Sequence, residues 1–336
     1  MTLRSSASKL WIGLGRMDGE WRYMLADRVS FIVACVMLLF LLVTYRAIRK
    51  NVFSLEELNL DTAAAMTLLL AATGQTIVLL SGGIDLSVGG MISLGTALAA
   101  TRFGDRPGTE AVWAILIVLI GLAAGIINGL IITFLRLQPF LVTLATWSIL
   151  SGIALIVLPT DGGTLPAGWI AFGTASLVGL SSSVWLLLAL LLFWGWFRKT
   201  RLAITIRATG SMENAVRLSG GSLILVKMAT YGLSGIFASL AALYLSIQTG
   251  TGLPTAGNDY ILPSVAAAVI GGVSLFGGRG GLVGTIIGVA ILTIVGNLVF
   301  VLSVSSYWQP IVSGVILLLA VLATSLTEKS VRRGIV

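Results

Sequence analysis

Residues 79–94 read LLSGGIDLSVGGMISL. Apolar sequence runs up to this stretch from Ala63 and continues beyond it to Ala100, so two glycine pairs and a lone acid interrupt membrane-length hydrophobic sequence. An Asp at the bilayer centre costs roughly 3 kcal/mol on insertion scales. Broken backbone at membrane depth is tolerated only where protein or water satisfies it. Gly82, Gly83, Gly89 and Gly90 therefore read as a tight turn or a close helix crossing. Asp85 reads as the cap of a helix starting at Leu86, its carboxylate accepting from exposed backbone N–H groups. A direct part in passing a solute is the other reading of Asp85.

The composition around this stretch is that of a polytopic membrane protein. The chain has 336 residues, 57% hydrophobic and 10% charged, with mean hydropathy +1.03; a soluble domain carries about 25% charged residues. A spanning helix needs about 20 residues, which leaves room for roughly ten. Histidine is absent and Cys35 is the only cysteine. That excludes His-based catalysis, a disulfide within the chain and a Cys/His metal site. No Walker A loop and no nucleophile–base pair is visible. The expectation is a protein that is not an enzyme, holds no metal and carries no cofactor of its own. The net charge of +8 sits in short loops between spans, which is the positive-inside signature, not a nucleic-acid footprint.

Ten spans are expected: 29–45, 63–80, 86–100, 111–135, 140–158, 184–197, 223–247, 260–275, 282–304 and 311–326. Phe53–Asn59, FSLEELN, reads as a short amphipathic or capped lead-in to the second. Gly121, Gly125 and Gly129 recur at the four-residue spacing that lets helices approach closely. Residues 169–180 are too short and too rich in Gly and Ser to cross, and read as extramembranous or re-entrant. Residues 1–28 read as an amphipathic arm in the interface, 29–327 as the transmembrane domain and 328–336 as a tail. Ten crossings put both termini on one side. Sixteen of the 21 basic residues then fall on that side, which makes it cytoplasmic, with Arg46, Arg49 and Lys50 against the trend.

Three lone polar groups on apolar spans, Gln75, Asn128 and Asn297, are expected to face the bundle interior, because an unpaired amide in hydrocarbon is costly. They are candidates for the translocation path; bonding between helices is the alternative. Gly82-Gly83-Ile84 with Gly89-Gly90 is echoed by Gly271-Gly272-Val273 with Gly277-Gly278, a pattern that fits an internal repeat. Residues 198–222 form the one long basic loop. Within it Ala208–Leu218 can form a short helix with Ser211 as N-cap. Met212, Ala215, Val216 and Leu218 give that helix an apolar set, flanked by Arg207, Glu213 and Arg217. It reads either as a docking element for a soluble partner or as a loop that merely obeys the charge rule.

LSGGIDLSVG, IRATGSMENAVRLSG and AAAVIGGVSLFGGRGGLVGTIIG occur in the order seen in membrane permeases of sugar-importing ATP-binding-cassette (ABC) transporters. The chain resembles the ribose, galactofuranose and autoinducer-2 group from about Phe53 onward. The resemblance implies a second permease subunit, as a homo- or heterodimer, cytoplasmic ATPase subunits that bind the ATP, and a periplasmic sugar-binding protein. It further implies a place in the lipid of a bacterial cytoplasmic membrane, and an ATPase-coupling element at Arg207, Gly210, Glu213, Asn214, Ala215, Arg217 and Leu218. Two departures leave the solute open. Leu262, Pro263 and Ser264 stand where relatives often carry an acid, and Gly210-Ser211-Met212-Glu213-Asn214 replaces the usual Gly-Gly-Asn. An ion-coupled secondary carrier is the alternative, disfavoured by the scarcity of buried charge.

Overall fold

The computed structural model describes residues 31–49, 54–104 and 108–303, with isolated positions as far as 318. The arm at 1–28, most of the expected span at 311–326 and the tail at 328–336 lie outside the described residues.

The chain is an all-helical bundle apart from one small hairpin. Its helices are α1 (Phe31–Ile48), α2 (Leu55–Leu80), α3 (Ser87–Arg102), α4 (Thr109–Phe134), α5 (Pro139–Val157), α6 (Ala167–Thr174), α7 (Ser182–Phe197), α8 (Arg201–Ser211), α9 (Glu213–Leu218), α10 (Leu223–Thr249), α11 (Asn258–Ile270) and α12 (Leu282–Val301). A helix coincides with each of the first nine expected spans. Among the described residues six helices are long and apolar enough to cross a membrane by themselves: α1, α2, α4, α5, α10 and α12. The lead-in before the second span is not separate from it. Ser54 caps α2 by accepting the N–H of Glu57, and the helix runs unbroken from Leu55. Residues 169–181 hold most of α6 and a tight antiparallel hairpin that pairs Ser176 with Ser181.

The loops named here gather at two ends of the bundle. At one end the α5–α6 loop meets the α10–α11 loop through a bridge between Gly162 and Gly252. At that same end Asn59, in the first turns of α2, donates to Gly179 O at 3.0 Å and accepts from Ser181 N at 2.9 Å. At the other end the α2–α3 break, the α8–α9 segment and the α11–α12 loop converge, as described below.

Close crossings hold the middle, and glycine makes them possible. A Cβ at Gly121, Gly125 or Gly129 would overlap the α10 backbone at Gly235, Tyr231 and Lys227 respectively, so this stripe of α4 lies flat on α10. Gly284 and Gly288 of α12 do the same against Gly271 and Ala267 at α11. Helices α2, α3 and α10 supply most of the buried core, with Met66, Ile77, Ile92 and Tyr231 fully enclosed.

Candidate functional site

The interruption between α2 and α3 is a buried break held from four sides. Helix α2 ends in a Schellman turn: Gly82 takes φ 77° and donates to Leu79 O, while Gly83 donates to Val78 O. Side-chain-free positions are required here. A Cβ at Gly83 would run into the Tyr231 hydroxyl. The backbone of Asp85 is met by Gln75. In the amide orientation that satisfies both partners, Gln75 donates to Asp85 O at 3.0 Å and accepts Asp85 N–H at 3.3 Å.

Asp85 is buried, and its Oδ1 accepts from the N–H of Ser87 at 2.9 Å and from Ser87 Oγ at 2.5 Å. It serves the start of a helix as expected, its carboxylate accepting the exposed N–H of Ser87. Leu86 already has helical φ and ψ, α3 begins at Ser87, and Asp85 stands one residue further out. Ser87 Oγ accepts in turn from Asn128 Nδ2 at 3.1 Å, and Thr146 Oγ1 donates to Asn128 Oδ1 at 2.6 Å. On the other side Lys227 Nζ donates to Ser81 O at 2.9 Å. Lys227, whose place about one turn from a helix end would let it snorkel, is buried instead and caps the carboxyl end of α2. The break thus has a cation at the negative end of one helix dipole and a carboxylate at the positive end of the next, the arrangement that macrodipoles favour. Asp85 Oδ2, Tyr231 Oη and Ser234 Oγ have no hydrogen-bond partner among the described residues. Asn128 lies six residues inside the end of α4, about 9 Å along its axis, so the network reaches well below that end.

Of the three polar path candidates, Gln75 and Asn128 join this network and Asn297 does not. Asn297 Nδ2 donates to Asp61 Oδ1 at 2.8 Å, near the start of α2. All three are engaged between elements of the bundle. Gly89 lies within α3 and not in the turn; it and Gly90 let α3 approach Gly257 O and Trp147 O, each 2.8 Å from the Cβ the glycine lacks.

The echo at Gly271–Gly278 is real in its first half. Gly272 takes φ 88° and donates to Val269 O, and Val273 donates to Ala268 O, which repeats the Schellman turn of α2 bond for bond. The second half is not equivalent: Gly89 and Gly90 are helical, whereas Gly277 and Gly278 take φ 91° and 77° in a loop.

The α8–α9 segment sits directly on these turns. The N–H of Gly278 donates to Leu80 O at 3.0 Å. A Cβ at Gly210 would overlap Leu80 O and lie 2.7 Å from Gly278 N and 3.0 Å from Gly277 Cα. Gly210 therefore faces the membrane domain. The expected single helix at 208–218 is two helices broken at Met212, whose φ of −159° and ψ of 93° are extended. Ser211 ends α8 and caps nothing. Of the apolar set, Val216 is buried and anchors α9, while Met212, Ala215 and Leu218 are exposed beside Glu213, Asn214 and Arg217. Arg207 is half-buried; burial, with Arg198 adding repulsion, lowers its guanidinium from the usual value. Sequence reasoning missed Lys227, Tyr231 and the Gly277–Gly278 loop as parts of this junction. Lys227 and Tyr231 share one face of α10 at four-residue spacing, the signal that could have paired them.

The family model described as branched-chain amino acid transport system / permease component matches residues 62–321. The chain is similar to the ribose import permease protein RbsC of Escherichia coli strain K12, 36% identical over 85% of this chain and 91% of that protein. The RbsC of Bacillus subtilis strain 168 is 38% identical over 84% and 89%. The autoinducer 2 import system permease protein LsrC of Yersinia pestis strain Pestoides F is 30% identical over 81% and 78%. No solved structure matches.

Proposed function

Because the chain belongs to the permease-component family, it is the membrane permease subunit of an ABC importer, and we propose that it passes a monosaccharide or similar small polar solute. Permeases named for ribose match most of its length at 36–38% identity, which supports a sugar as cargo. Nothing favours the ion-coupled carrier. In this reading the chain does no chemistry and binds no cofactor; ATP is bound by separate cytoplasmic ATPase subunits. A periplasmic binding protein delivers the sugar, and a second permease subunit completes the path.

The topology that accompanies this reading has about ten crossings and cytoplasmic termini. It places the Leu80–Gly278 junction and α8–α9 inside the cell. The coupling element is then divided between two faces. Glu213, Asn214, Ala215 and Leu218 meet the ATPase, Arg217 borders that face, and Arg207 and Gly210 carry its motion inward. Gln75 and Asn128 act by holding the α2–α3 break beside the path, whereas Asn297 ties α12 to α2 at the outer end.

The observation that carries the proposal is the seat of Gly210 against Leu80 and Gly277–Gly278, which gives a cytoplasmic helix purchase on two helix turns at once. Reconstitution with the ATPase and binding protein into proteoliposomes tests it. Labelled ribose, offered outside with the binding protein, should enter only when ATP is enclosed in the lumen on the ATPase face. Ribose uptake that proceeds without the ATPase subunits, driven by an ion gradient, overturns it.

A further inference from the structure

We propose that a shallow depression between the end of α4 and the start of α10 binds the phosphate of an anionic phospholipid. The inference rests on the reading that this end of the bundle lies at the cytoplasmic membrane surface. Arg136, Arg217, Ser222 and Phe134 are among the residues that line it. Arg136 follows α4 directly and takes φ 53°, a left-handed conformation uncommon outside glycine. Arg217 arrives from α9. No hydrogen bond or ion pair engages either guanidinium among the described residues.

Charge complementarity selects an anion. No acidic side chain lines the depression. Ser222 is the N-cap of α10, a helix of 27 residues with no acid in its first turn, so the positive end of its dipole is uncompensated there. Two guanidinium groups suit a phosphate better than a point charge does, because each can donate two parallel N–H bonds.

The surroundings select a lipid over free phosphate. Phe134 is 79% exposed and Leu225 65%, so apolar side chains stand open beside the charged floor. Such a border is costly beside water and natural beside acyl chains. Basic residues at the cytoplasmic surface attract anionic lipid by about 1 kcal/mol each, roughly a fivefold change in binding.

Purified full-length permease in detergent, titrated with dioleoyl phosphatidylglycerol or dioleoyl phosphatidylethanolamine and followed by native mass spectrometry, tests the site. One phosphatidylglycerol should be retained in preference to phosphatidylethanolamine. Arg136→Gln should weaken it roughly fivefold and Arg136→Gln/Arg217→Gln roughly 30-fold. Arg136→Lys should keep most of the binding, with the lipid-free melting temperature unchanged in all three. Equal phosphatidylglycerol binding in the double variant overturns the proposal. So does displacement of the lipid by millimolar inorganic phosphate, which makes the ligand a free anion. Release of the lipid on adding ATPase subunits likewise overturns it and assigns the depression to a protein partner.

Discussion

The backbone N–H of Gly278 donates to the carbonyl oxygen of Leu80 at 3.0 Å, tying the loop before α12 to the last residue of α2. The junction leaves no room for a side chain on α8, whose Gly210 packs onto it. Gly210→Ala should therefore force the helix off its seat. Overpacking of this kind costs about 1–3 kcal/mol, so a lower melting temperature is expected together with loss of solute-stimulated ATPase activity. Gly195 and Gly152 have open space where a Cβ would lie. Alanine at either should leave both measurements near wild type. A Gly210→Ala protein that melts and transports like those controls contradicts the seat.

The α2–α3 break separates two roles that a single substitution can distinguish. Gln75→Leu strips the Asp85 backbone of its side-chain partner among the described residues, and each unsatisfied buried group costs about 1–3 kcal/mol. The expected result is a fall in folded protein at normal expression. Asp85→Asn keeps an acceptor for the Ser87 N–H, whereas Asp85→Leu does not, so Asn should be much the milder change in membrane level and in transport. Complete loss of transport in both, at normal membrane levels, would instead assign Asp85 an ionic role.

How much of this was legible in the sequence follows from the range of each interaction. The Gly121–Gly125–Gly129 stripe was legible because small residues at helical spacing have one physical use, and they do lie on α10. The position of the break was legible because an acid is costly inside a span and glycine pairs flank this one. The burial of Gln75 and Asn128 followed from the cost of an amide in hydrocarbon. Their partners did not, because Asn128 finds Ser87 across 41 residues and the choice depends on how four helices cross. The end of α8 at Met212 was missed because no glycine or proline marks it: Gly210, two residues earlier, remains helical. The role of Lys227 was not legible because four residues from a helix end is within snorkelling reach, and only the fold reveals a carbonyl at Ser81 that accepts its N–H.

The two ends of the bundle can be assigned to sides of the membrane chemically. In a Cys35→Ser background, a cysteine at Ser219 should react with a membrane-impermeant maleimide only in inside-out vesicles. One at Leu177, on the hairpin before α7 and exposed, should react only in intact spheroplasts. The motive is the charge count: ten crossings would put sixteen of the 21 basic residues on the side of Ser219. Labelling of Ser219→Cys from outside reverses the topology and with it the place of the coupling segment.

The last expectation concerns the outward face of α9. Val216 is buried against the membrane domain, so the helix is anchored by one side chain and presents Glu213, Asn214 and Ala215 outward. ATP-driven motion has to pass through whatever touches that face, and a contact that transmits force must be close and rigid. Ala215 is the small residue in its centre, which fits a narrow groove and leaves no space for an indole. Ala215→Trp should lower ATPase co-purification by about 30-fold or more, the scale of a lost hot spot of 2 kcal/mol, and abolish transport. Insertion and melting temperature should not change, because Ala215 is exposed. Ala215→Ser keeps the volume small and should retain both association and transport, which separates a steric clash from a loss of apolar contact. If Ala215→Trp co-purifies with the ATPase and transports normally, residues 213–218 are not the coupling face, and the drive must enter the permease elsewhere.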